Sequence, residues 1–164
     1  MANNFLEQVT AEWYEYRGYF VRRNVPVGRR ARGYECELDI IAYNPLTHHL
    51  VHVEPSMDAE SWDVREMRFR KKFDAGRKYI PGLFPGIALP DEIEQIAILM
   101  SASKTNHPRL GGGKVVIAAD LVRDIIEELS DKKIVSGAVP EHHSIMRALQ
   151  FVVEFRSKVF DTLT

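Results

Sequence analysis

Apolar residues at Phe5, Val9, Trp13 and Tyr16 recur at helical spacing, which predicts a helix over residues 3–17 with Gly18 as its stop. Tyr19 to Val21 reads as a short strand, followed by a loop rich in arginine, glycine and proline. From Glu35 to residue 56, polar and apolar positions alternate on either side of Asn44-Pro45, the pattern of two strands joined by a turn. Residues 60–80 return to helical spacing, with Trp62, Phe69, Phe73 and Ile80 on one stripe. Pro81, Pro85 and Pro90 mark a loop, and Ile93 to Met100 is apolar enough for a strand buried on both faces. The segment KTNHPRLGGGK reads as a flexible connection to a further strand, Val115 to Ala119. Asp120 is placed to cap a helix with Leu121, Ile125 and Leu129 inward, and a last helix is expected over residues 144–160. The expected class is α/β, a mixed sheet flanked by helices in the order α-β-β-β-α-β-β-α-α. One domain covers residues 1–164, with a core near 5–103 and a C-terminal extension from 104 to 164.

The turn at Asn44-Pro45 sets a register. A four-residue loop from Pro45 to His48 pairs Asn44 with His49, which puts Asp39 opposite Glu54 and Glu37 opposite Ser56. Glu35, Glu37 and Asp39 then share one face, while Leu38, Ile40 and Ala42 oppose Val51 and Val53 on the other. Opposed side chains on one face lie about 5 Å apart at Cβ, so the acids repel unless a cation sits among them. Hard oxygen donors with room for water suit Mg²⁺ or Mn²⁺. His52 shares the acidic face and is a weak outer-layer candidate, whereas Cys36 is expected as a buried structural thiol. The Glu141-His142-His143 run precedes a helix and is read as capping context rather than a ligand set.

Charge changes the picture locally. The formal net charge is only -1, but Arg17, Arg22, Arg23, Arg29, Arg30 and Arg32 lie in a segment without a single acid. Arg65 to Lys78 holds seven basic residues against two acids. Two such segments on a near-neutral chain suggest one positive face for a polyanion. The polar start MANNFLEQ is no secretory signal, and no apolar run approaches the ~18 residues a membrane span needs. One cysteine excludes an internal disulfide and a Cys-rich zinc site, so a cytoplasmic setting is expected.

The run Gly33-Tyr-Glu-Cys-Glu37-Leu-Asp39-Ile-Ile-Ala42, followed by Leu50-Val-His-Val-Glu54, resembles the core of the PD-(D/E)XK nuclease superfamily, which includes restriction enzymes, Holliday-junction resolvases and Mrr-like endonucleases. The resemblance extends from residue 5 to about residue 103 and implies a restriction-endonuclease-like fold. It further implies Mg²⁺- or Mn²⁺-dependent hydrolysis of DNA phosphodiesters, with Asp39 and Glu54 on the metal. Glu7 on the first helix, or Glu37, is expected to complete the metal set through water. Arg22, Arg23, Arg29, Arg30, Arg32 and Arg65 are the expected phosphate contacts. A homodimer is compatible with cutting both strands, although the sequence carries no interface signature.

One position departs from the pattern: Ser56 stands where the superfamily has its lysine. Either that lysine is supplied by the following helix, or chemistry is lost and a nucleic-acid-binding or assembly module remains. Helix geometry selects the replacement. Lys72 lies about 60° around the helix from Phe69 on the buried stripe, whereas Lys71 lies about 160° away and faces solvent. Lys72 can therefore run along the core and reach the sheet.

Overall fold

The computed structural model describes residues 4–103 and 106–161. The expected helix start at residue 3 and the first two residues of KTNHPRLGGGK lie outside the described residues. The chain is α/β: a six-stranded mixed sheet in the order β1-β2-β3-β4-β6-β5, flanked by helices. The strands are β1 (Phe20–Arg29), β2 (Tyr34–Asn44), β3 (His49–Ser56), β4 (Glu94–Leu99), β5 (Arg109–Leu110) and β6 (Gly113–Ile117). The helices are α1 (Phe5–Tyr16), α2 (Trp62–Tyr79), α3 (Ala118–Leu129), α4 (Ser144–Glu154) and the short α5 (Arg156–Val159).

Three segments differ from the sequence expectation. The arginine-rich stretch after Val21 is strand, not loop: β1 continues to Arg29 at the sheet edge, where Pro26 is tolerated and exposed. The glycine run is a tight hairpin, not a flexible connection. Gly111 and Gly112 hold φ of 57° and 90° between the paired Leu110 and Gly113, a turn that only residues without a Cβ enter at low cost. The last helix breaks at Phe155, and α3 begins at Ala118, which places Asp120 in its first turn rather than at its cap. The extension expected beyond residue 103 shares the sheet through β5 and β6, and shares the core through Ile125 and Met146 packed with Leu6 and Val9.

Two apolar layers sandwich the sheet. Ile40, Ala42, Val51, Val53, Ile96 and Ile98 pack under α1, α3 and α4. Leu38, Ile41, Tyr43, Leu50 and Ala75 form a cluster on the α2 side, continued by Phe69, Phe73, Ala97 and Leu99. On α1 the inward residues are Leu6, Val9, Thr10 and Tyr14, while Phe5 is 45 % exposed, so the stripe is rotated from the expected one.

The β2–β3 register is the expected one, from Asn44 with His49 through Ile40 with Val53. Asn44 fixes it: its side-chain carbonyl accepts from the N–H of Leu46 (2.9 Å) and of Thr47 (3.3 Å), closing the bend locally. The ladder ends at Ile40 with Val53, so neither of the expected pairs beyond it, Asp39 with Glu54 and Glu37 with Ser56, is part of it. Leu38 is also not on the face of Ile40. The β1–β2 ladder pairs Arg23 with Ile40 and Val25 with Leu38 but skips Asn24, whose φ is +50°, and Asp39 opposite it. Across this slip the inward side of β2 changes phase.

Candidate active site

Asp39 sits at the phase slip and Glu54 near the end of β3, one residue before buried Pro55. The Asp39 N–H donates to Glu54 Oε1 at 3.1 Å, which joins the two strands where the ladder has ended. Lys72, from the middle of α2, reaches down between them. Its Nζ lies 2.6 Å from Asp39 Oδ1 and 2.6 Å from Glu54 Oε2. Lys71 is exposed and Lys72 half-buried, as the helical angles require. The structure thus brings Asp39, Glu54 and Lys72 into one cluster, lining a cavity of about 200 Å³ with Pro55, Ser56, Arg68 and Phe69.

Burial dominates the electrostatics. It pushes Asp39 up to about 7, and the Glu54 charge adds to the rise against the pull of Lys72. Glu54 is also raised by burial, while Lys72 and the hydrogen bonds from Asp39 hold it back. On Lys72, burial disfavours the charge, yet Glu54 and Asp39 outweigh it and hold the ammonium well above the usual lysine range.

A buried polar chain stands behind Glu54. His52 is wholly buried and its Nε2 lies 2.7 Å from Glu54 Oε1. Burial, reinforced by Lys72, pulls this imidazole down to about 3, so it is neutral and the contact is a hydrogen bond rather than an ion pair. Gln95 Nε2 approaches His52 Nδ1 at 3.2 Å and donates to the Phe73 carbonyl at 2.8 Å; Arg77 donates to Gln95 Oε1. With Nδ1 as acceptor, His52 presents its Nε2–H to Glu54. The chain fits under α2 only because residue 76 is glycine: a Cβ there would lie 2.6 Å from His52 Cε1 and closer still to Nδ1.

The lysine position of the nuclease pattern is filled differently. Ser56 Oγ accepts from Arg68 Nη2 at 3.0 Å and is hydrogen-bonded to Asp58, to which Arg68 is also paired. Arg68 precedes Lys72 by one helical turn, so α2 presents two cations to the same cavity. Arg65 is 8 % exposed, and Asp58 takes it up through Oδ1 at 2.9 Å and its carbonyl at 2.6 Å. Although burial pushes Asp58 up, hydrogen bonds from Ser56, Arg68 and Arg65 hold its carboxyl well below the usual range. Arg65, expected as a phosphate contact, is thus engaged inside the protein, and Arg68 is the arginine the sequence reasoning missed.

Glu7 takes part in the α1 cap. The Asn4 side chain accepts from the Glu7 N–H at 2.8 Å and donates to its carboxylate. Burial raises Glu7, followed by the Asp39 charge, so it lies within the field of the site. Neither Glu7 nor Glu37 completes a group of three with Asp39 and Glu54: among the described residues, only Glu15, His142 and His143 bring three such ligand atoms within 4.8 Å of one another. Glu35 is apart from Asp39, accepting from Tyr79 Oη at 2.8 Å. Of the arginines of β1 and its following turn, Arg22, Arg29, Arg30 and Arg32 are exposed, and Arg23 is half-buried with Nη2 lacking a hydrogen-bond partner.

A larger cleft of about 1180 Å³ opens near the start of β4. Its charges are mixed and, among the described residues, no carboxylate pair converges on a cation there, so the chemistry favours the smaller cavity. No family model, curated protein or solved structure matches this chain. No helix among the described residues is long and apolar enough to cross a membrane.

Proposed function

We propose that the protein is a Mg²⁺- or Mn²⁺-dependent DNA endonuclease of restriction-endonuclease-like architecture, acting in the cytoplasm. The single observation that carries this reading is Lys72 Nζ at 2.6 Å from both Asp39 and Glu54, a lysine and two acids of the nuclease pattern meeting from three elements. The donor set fits a hard divalent ion in chemistry: two carboxylate oxygens face a cavity large enough to admit water. Asp39 and Glu54 are the residues to hold it. Bound there, the ion would polarise a phosphoryl oxygen and make water more acidic. Glu54 is held in orientation by His52 and by the Asp39 N–H. Lys72, freed from its two carboxylates, is placed to offset charge on the phosphate, and Arg68 flanks the same cavity. The exposed arginines of β1 and its following turn provide backbone-phosphate contacts without reading bases.

The test is cleavage of supercoiled, linear and branched DNA with Mg²⁺ or Mn²⁺ by wild type, Asp39→Asn, Glu54→Gln and Lys72→Met. Each variant should lose at least about 100-fold of the rate. Equal residual cutting in all four would refute the reading.

A second reading is a binding module without catalysis. It is favoured by Lys72, which already occupies an oxygen of each acid, and by Ser56 at the lysine position. It expects salt-dependent DNA binding that survives Glu54→Gln and no cleavage with either ion.

A further inference from the structure

The N-terminus of α4 docks on the last turns of α1. Glu12, buried, accepts from the N–H groups of Ile145 (3.0 Å) and Met146 (2.8 Å), and so satisfies the start of α4 from another helix. One turn further along α1, Glu15 Oε2 lies 2.9 Å from Nε2 of His143, the residue that precedes α4. His143 is 3 % exposed, and its Nδ1 is buried with no hydrogen-bond partner. If Nε2–H donates to the carboxylate, Nδ1 is left as a lone pair without a donor. Such an orphan costs about 1–3 kcal/mol in a protein interior. His142 stacks beside it in a T-shaped contact with ring centroids 4.4 Å apart.

We infer that Glu15, His142 and His143 form a binding site for a borderline divalent transition metal of the Zn²⁺ class. Two imidazoles and a carboxylate are the donor types such ions prefer, leaving room for water as a further ligand. One ligand atom from each residue lies within 4.8 Å of the others. Donors on a tetrahedral ion at about 2.1 Å stand about 3.4 Å apart, so Glu15 and His143, at 2.9 Å, open slightly and a small adjustment of His142 completes the site. His142 is exposed and can make that movement. The positive end of α4 opposes a cation, but the Glu12 carboxylate already covers its first N–H groups and Glu15 adds a second negative charge. The site is separate from the Asp39 and Glu54 pair in residues and in ligand chemistry, and would clip α4 to the end of α1.

The experiment is titration of the full chain with Zn²⁺ by calorimetry and with Co²⁺ by its visible absorption. Wild type, His142→Ala, Glu15→Gln and Asp39→Asn are compared. Wild type and Asp39→Asn should show the same nitrogen-type Co²⁺ absorption and a Zn²⁺-dependent rise in Tm, any oxygen-donor binding at Asp39 and Glu54 being lost in the second. His142→Ala and Glu15→Gln should bind at least about tenfold more weakly. Because His142 is exposed, its variant should have the metal-free Tm of wild type, which separates lost binding from lost folding. Absence of binding by wild type, equal binding by His142→Ala, or loss of the site in Asp39→Asn would each overturn the inference.

Discussion

Replacing Gly76 by alanine tests the buried chain behind Glu54 more directly than any change in the cavity. The new methyl would sit 2.6 Å from His52 Cε1 and 3.2 Å from Gln95 Nε2. Ordinary carbon contact begins near 3.5 Å, so the imidazole must retreat by about 0.9 Å or α2 must lift from the sheet. His52 is wholly buried, and Phe73 packs edge-on against its other side with centroids 5.3 Å apart, so there is little space to yield. Overpacking of this kind costs about 1–3 kcal/mol, and loosening the Gln95 contact adds about 1 kcal/mol. Better helix propensity returns about 1 kcal/mol. The expected net loss is therefore about 2 kcal/mol, read as a shift in urea midpoint or a Tm fall of about 4–8 °C. Gly82→Ala is the control: open space surrounds it, and its change should stay within about 0.5 kcal/mol. In a His52→Ala background the vacated ring leaves room for the methyl, so the cost of Gly76→Ala should largely vanish. If Gly76→Ala is as stable as Gly82→Ala, or if the His52→Ala background brings no relief, the close contact does not hold His52 in place.

Lys72→Met leaves Asp39 and Glu54 facing each other, and at pH 8 urea denaturation should show a loss of about 3 kcal/mol that shrinks at pH 5 and is reversed by millimolar Mn²⁺. An equal loss at both pH values would count against the cluster. In wild type, Asp39 is raised to about 7 from an ordinary 3.8, so the folded state keeps a proton that the unfolded chain releases; this contribution is whole below pH 4 and fades as pH rises through 7, a decline that Asp39→Asn should remove. Asp58 runs the other way: its depressed carboxyl stabilises the fold above pH 4 and loses that effect in acid, and Asp58→Ala should cost about 3 kcal/mol at pH 7 by stranding Arg65. Glu12→Ala uncaps α4 and should cost about 1–2 kcal/mol, visible in the same denaturation experiment.

The hairpin register and the reach of Lys72 were legible in the sequence because each follows from local geometry. Asn44 closes its own bend, and residues three apart on a helix keep a fixed angle. The side taken by Leu38 was not legible, since one left-handed residue, Asn24, on the neighbouring strand shifts the alternation of β2. Arg68 does not stand out among its basic neighbours, although its spacing of four from Lys72 is an available signal. Gln95 gave a weaker one, a polar side chain in an otherwise apolar strand that must find partners. The glycine run reads as slack because composition alone does not distinguish a loose linker from a turn pressed against a helix. Gly111 is the latter: a Cβ there would lie 2.5 Å from the Phe69 carbonyl carbon.

That pressed turn has a mechanical consequence. Helix α2 is gripped from beneath at Gly76 and from the side at Gly111, whose N–H also donates to Glu66 at 2.8 Å. A rod clamped at two points cannot slide or tilt to admit a guest between the acids. Whatever enters must displace only the tip of Lys72, by swivelling four methylenes while the rod stays still, so opening costs two ion pairs and a few torsions instead of a domain movement.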